Sequence, residues 1–168
     1  MTAEVFVMAK RCRTFIVCLA VPLLVGGLSA FLTRGGTEQF SMLNKPPLTP
    51  PAWLFPVVWT ILYILMGIAS YLVLVSGEPD KIVRMALAVY ALQLGFNFLW
   101  PVLFFNLGWY LFAFFWLLFL EFLILLTAFL FFSICPAAGR LMIPYVAWVA
   151  FAGYLNLAVW YLNRLPAA

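Results

Sequence analysis

The chain has no histidine, and charged side chains make up only 8% of its 168 residues. Without imidazole there is no Ser-His triad, no histidine metal site and no histidine proton shuttle. The acids are Glu4, Glu38, Glu78, Asp80 and Glu121, and only Glu121 falls within a long apolar run. Aqueous acid–base catalysis therefore has almost no side chains to run on. Cys12, Cys18 and Cys135 show neither metal-ligand spacing nor an even number for a disulfide framework, and read as reduced packing residues. No metal and no required cofactor is expected. The net charge of +4 points away from nucleic acid, because the basic residues cluster at the ends of apolar runs.

What the chain does have is apolar surface. Hydrophobic residues make up 68% and aromatic residues 19%, with 7 Trp and 18 Phe, a composition that excludes a water-soluble domain. A bilayer-crossing helix needs about 20 mostly apolar residues. Five stretches qualify: 14–32, 52–75, 82–105, 107–132 and 141–162. The fourth would be about 39 Å long as a helix, so it must tilt or project. No inverted repeat of the transporter kind is visible. The expected fold is all-α, one domain over 1–168 built as a single bundle of five transmembrane helices in a lipid bilayer.

Lys10, Arg11, Arg13, Lys81, Arg84 and Arg140 fall on one side of such a bundle, and Arg34, Lys45 and Arg164 on the other. That bias places the N-terminus in the cytoplasm and the C-terminus outside. Helical spans of this kind suit a bacterial inner membrane rather than an outer membrane, whose proteins are barrels. Residues 1–30 read as a retained span, since the apolar run is long and Leu28 is a poor residue for signal cleavage.

The segment 33–51 is the longest break between spans, and four prolines fall within 45–51. Proline fixes φ and removes a backbone donor, so KPPLTPP reads as a stiff extended strap. Thr49 is placed to cap the next helix, with Pro50 in its first turn. A rigid loop entering a membrane helix can cover a pocket.

Helical spacing sorts the polar and aromatic residues onto faces. Gln93, Asn97, Trp100 and Phe104 share one stripe of the third span. Tyr145, Trp148, Ala152, Asn156, Val159 and Asn163 share one of the fifth, and Trp59, Tyr63 and Ser70 one of the second. Amides facing hydrocarbon are costly, so these stripes should turn inward. Each residue alone could be interhelical glue or part of an interfacial belt. Together they predict a pocket lined by Trp59, Tyr63, Gln93, Asn97, Trp100, Tyr145, Trp148 and Ala152. On the back of the third span, Ala88, Ala91 and Gly95 form a small-residue face suited to close helix contact, which predicts a homodimer. Glu121 is the one carboxylate within a span and lies off these stripes. Val159, Tyr161 and Arg164 fit a loose sterol-contact pattern, but Tyr161 and Arg164 read first as interfacial anchors.

Several of these motifs resemble those of the translocator protein family, the tryptophan-rich sensory proteins of bacteria and the peripheral benzodiazepine receptor of mitochondria. Leu43, Lys45, Pro46, Pro50, Pro51, Pro56 and Trp59 look like its L-x-K-P-x-x-x-P-P loop and the P-x-x-W that follows. Gln93, Asn97, Trp100, Phe104 and Phe105 are similar to its third-span pattern. Pro144, Tyr145, Trp148, Ala152, Leu155, Asn156, Trp160 and Asn163 are similar to its fifth. This chain departs from the family at Gln39 and Phe40, where a Trp and a Tyr usually stand.

The resemblance implies a tetrapyrrole ligand, protoporphyrin or a haem precursor. It would be held by Trp59, Asn97, Trp100, Trp148 and Ala152 beneath a cover made by Leu43, Lys45, Pro46, Pro50 and Pro51. A binding and sensing role is the first expectation. Transport of porphyrins or other apolar molecules is the second. Light-dependent porphyrin breakdown, with Trp59 and Trp148 as oxidisable partners, is the third. No residue pattern here shows catalysis by itself.

Overall fold

The computed structural model describes residues 2–36 and 41–164, with the side chains of residues 2–7 left aside. Gln39 and Phe40 lie outside the described residues. The helices are α1 (Thr2–Thr33), α2 (Leu54–Leu74), α3 (Asp80–Pro101), α4 (Tyr110–Ile134) and α5 (Pro136–Asn163). A π-helical turn at Val102–Asn106 continues α3. All five are long and apolar enough to cross a membrane. The protein is an integral, multi-pass, all-α membrane protein.

Packing partners run round the bundle in the order α1, α2, α5, α4, α3 and back to α1. The core is shared by Met66, Ala69 and Val73 of α2, Ala86 and Tyr90 of α3, Leu120, Ile124 and Phe131 of α4, and Met142, Tyr145 and Val149 of α5. Phe112, Phe115, Phe119, Phe122 and Phe129 of α4 are exposed, as a lipid-facing surface should be. Association of such helices rests on close packing, because lipid tails are as apolar as the interface. The contact of α1 with α2 shows how. Pro22 lacks an N–H, so the Cys18 carbonyl loses its helical donor. At that place α2 supplies Gly67, where a methyl would stand 2.8 Å from Leu19 Cα and 2.9 Å from the Cys18 oxygen.

Helix boundaries differ from the sequence reading wherever proline acts. Thr49 does not cap α2. Its hydroxyl donates to the Pro46 carbonyl at 2.7 Å, closing a turn in which Leu48 takes φ 69°. The helix then starts at Leu54, with Trp53 at its cap. Pro136 serves as a first-turn residue, so α5 begins five residues earlier than the apolar pattern and takes in Arg140. The break between the third and fourth spans, which the apolar pattern leaves at Asn106, lies instead at 107–109, where Gly108 takes φ 64°. It follows the π turn because Pro101 removes one helical donor, and the chain re-pairs with Leu107 N–H donating to Val102 O at 3.1 Å. Cys12 is exposed, not packed, because it precedes the part of α1 that meets the bundle. Cys18 is buried and Cys135 half-buried, all three as free thiols.

Candidate functional site

A cavity of about 560 Å³ opens between α1, α2, α3 and α5 at the end of the bundle crossed by the proline segment. Its walls carry Trp59 of α2, Trp100 of α3, and Trp148 and Ala152 of α5. Tyr63 and Asn97 lie one helical turn deeper and form the floor. Ser41, Lys45, Thr49, Pro50 and Pro51 line it from the loop. Helix α4 contributes nothing to the lining. It backs α3 and α5, where Phe96 stacks on Trp116 with ring centroids 4.3 Å apart.

The polar groups around the cavity are mostly committed to one another. Tyr63 Oη donates to Asn97 Oδ1 at 2.7 Å, and Asn97 Nδ2 donates to Tyr145 Oη at 2.8 Å. Tyr145 Oη donates in turn to Gln93 Oε1 at 2.9 Å. Three helices are thereby tied together under the floor, where an unpaired amide would cost about 1–3 kcal/mol. Trp100 Nε1 donates to Asn156 Oδ1 at 3.1 Å, and Asn156 Nδ2 to the Tyr110 carbonyl at 2.7 Å. On α1, Ser29 Oγ donates to the Phe98 carbonyl and Thr33 Oγ1 to the Ser29 carbonyl. Two buried donors here are exceptions, with no acceptor among the described residues: Gln93 Nε2 beneath the floor and Trp148 Nε1 at the wall. The Trp148 ring is held edge-on by Phe55 at 5.9 Å, and Trp59 stacks on Tyr63 at 5.5 Å.

Six of the eight expected pocket residues, Trp59, Tyr63, Asn97, Trp100, Trp148 and Ala152, line this cavity. Gln93 and Tyr145 do not. Both are buried beneath the floor, joined to Asn97 through the Tyr145 hydroxyl, because each sits a turn deeper than the lining residue of its own stripe. Of the expected cover, Lys45, Pro50 and Pro51 line the cavity, whereas Leu43 packs against the Phe104 and Val159 cluster and Pro46 is buried in the Thr49 turn. Glu121 lies outside the lining, half-buried on α4, with Oε2 unpartnered among the described residues.

Sequence reasoning missed the α1 wall. Gly26, Ser29, Ala30 and Thr33 line the cavity, and their spacing of three, four and seven from Gly26 is one helical stripe of small residues. Gly26 is needed there, because any Cβ at this position would fall into the Tyr63 ring. The small stripe was the available signal, hidden by the high apolar content of α1.

The chain matches the family model described as TspO/MBR family over residues 18–162. It is 36% identical to the tryptophan-rich protein TspO of Chlorobaculum tepidum over 93% of this chain and 99% of the relative. It is 39% identical to the translocator protein of Bos taurus, over 86% of this chain and 87% of that protein. Against the tryptophan-rich sensory protein of Cereibacter sphaeroides the identity is 35%, covering 89% of each chain. With the five-helix bundle and the loop-covered cavity, these matches make the chain a member of the TspO/MBR family.

Proposed function

We propose that this protein binds a flat, largely apolar tetrapyrrole, protoporphyrin or a haem precursor, in the tryptophan-walled cavity and senses its presence. One observation carries the reading. Trp148 offers a buried indole N–H with no acceptor among the described residues, whereas Trp100 and Tyr63 already donate to Asn156 and Asn97. Such a site suits a ligand with broad apolar faces and an acceptor near Trp148, held by ring stacking and a single directed hydrogen bond. The volume of about 560 Å³ lies within the usual range for ligand pockets. The names of the relatives, sensory protein and translocator protein, fit an occupancy signal or a ligand passage.

The setting proposed with it is a bacterial inner membrane with a cytoplasmic N-terminus, from the basic bias of the loops. A homodimer through Ala88, Ala91 and Gly95 belongs to the same proposal. All three are exposed, and a Cβ on Gly95 would meet nothing within 4 Å.

The test is a titration of purified protein with protoporphyrin, read by tryptophan quenching in the dark and then under illumination. Saturable quenching with the porphyrin spectrum conserved is the expected result. Light-dependent conversion to a discrete product, lost in Trp148→Phe, would replace sensing with an enzymatic reading. Net flux of porphyrin into liposomes would replace it with transport. Absence of saturable quenching would remove the tetrapyrrole altogether.

A further inference from the structure

The proline segment is fastened to α5. The Asn163 side chain accepts from the Asn44 backbone N–H through Oδ1 at 3.0 Å and donates through Nδ2 to the Asn44 carbonyl at 3.0 Å. Nδ2 also donates to the Val159 carbonyl at 2.8 Å, one turn back on its own helix. The amide is thus already aimed before it meets the loop. A second fastening follows three residues on, where Tyr154 Oη donates to the Pro47 carbonyl at 3.1 Å. Asn44, Pro47, Tyr154 and Asn163 do not line the cavity.

We infer that Asn163 is the latch of the cover: its two-point bond to Asn44 holds the strap shut, and breaking that bond sets the rate at which ligand leaves. The inference rests on reading the cavity as a ligand site. A carboxamide is suited to the task because it offers a donor and an acceptor side by side, matching the N–H and C=O of one backbone residue. The strap transmits the latch's state because it is stiff. Prolines fix its backbone, and the Thr49 hydroxyl and N–H both bond the Pro46 carbonyl, at 2.7 and 3.4 Å. Freed at Asn44 and Pro47, it can move as a unit about its junction with α2. Asn44 is exposed in the loop, so water competes for its two bonds and opening is accessible. Asn163 is a positioning residue, acting on ligand only through the loop.

The experiment compares the parent with Asn163→Ala, Asn163→Asp and Tyr154→Phe. Protoporphyrin release into excess lipid vesicles is followed by stopped flow, and hydrogen exchange is read at the Asn44 amide. Asn163→Ala should release ligand about tenfold faster, with the melting temperature and the equilibrium spectrum of bound ligand unchanged. Asn163→Asp keeps the acceptor for the Asn44 N–H and should fall between parent and alanine. Tyr154→Phe should show a smaller increase than Asn163→Ala. The Asn44 amide should exchange faster in Asn163→Ala with or without ligand. In an Asn44→Cys/Asn163→Cys pair, oxidation should slow both entry and exit, and reductant should restore both.

Release within about twofold of the parent in Asn163→Ala, or an Asn44 amide as protected as before, overturns the latch. If the parent gives no saturable porphyrin binding, the ligand reading and its release step fall together. Exchange at Asn44 then decides separately whether Asn163 holds the loop.

Discussion

Trp148 and Gly26 show how single atoms set this cavity. Replacing the Trp148 indole by phenyl keeps an aromatic wall and deletes a buried cavity-wall donor that has no acceptor among the described residues. Trp148→Phe should weaken protoporphyrin affinity about fivefold to tenfold, the worth of one hydrogen bond, with little change in melting temperature. Quenching titrations with Arg140→Ala as the remote control check this, and equal affinities would remove Trp148 as the polar anchor. Gly26 acts by having no side chain. Gly26→Val would drive Tyr63 out of its place and break its bond to Asn97. That variant should lose ligand binding and lower the melting temperature together, since overpacking costs about 1–3 kcal/mol before the orphaned polar groups are counted. Retained binding at parental affinity would mean that Tyr63 is dispensable to the floor.

At the scale of elements, apolar runs and proline carried most of what could be read from the sequence. All five spans were legible because a bilayer demands length and hydrophobicity from each of them. Their ends were not, because proline and glycine decide ends locally. Pro136 starts α5 early, Pro101 diverts α3 into a π turn, and Thr49 is drawn into a turn with Pro46 and does not cap α2. The inward stripes of α2, α3 and α5 were legible from helical spacing. Their depth was not, since a stripe does not say which of its residues meet the cavity; Gln93 and Tyr145 ended beneath it. The α1 wall escaped because small residues in an apolar helix carry little pattern. The proline strap gives this scale its prediction. Changing Pro46, Pro47, Pro50 and Pro51 to Ala frees φ and adds an ordering cost on closure. Ligand dissociation should accelerate several-fold while association changes little, as stopped-flow traces can show. Identical off-rates would reduce the strap to a connector.

Whole-molecule behaviour turns on the side of α3 that the cavity does not use. Asn97 and Trp100 face inward on this helix, while Ala88, Ala91 and Gly95 are exposed on its back. In the proposed homodimer, one helix would serve ligand on one side and a second copy on the other. Small residues let two backbones approach until dispersion between them accumulates, which is what drives association where lipid cancels hydrophobic burial. Ala91→Leu combined with Gly95→Leu would put bulk on that face, and the Gly95 position is open, so the monomer itself is not strained. The double variant should run as a monomer in mild detergent and keep parental protoporphyrin affinity. Crosslinking in membranes provides the check. Dimer at the parental level in the variant would place the partner on another face, and loss of ligand binding along with the dimer would mean that the cavity depends on the second copy.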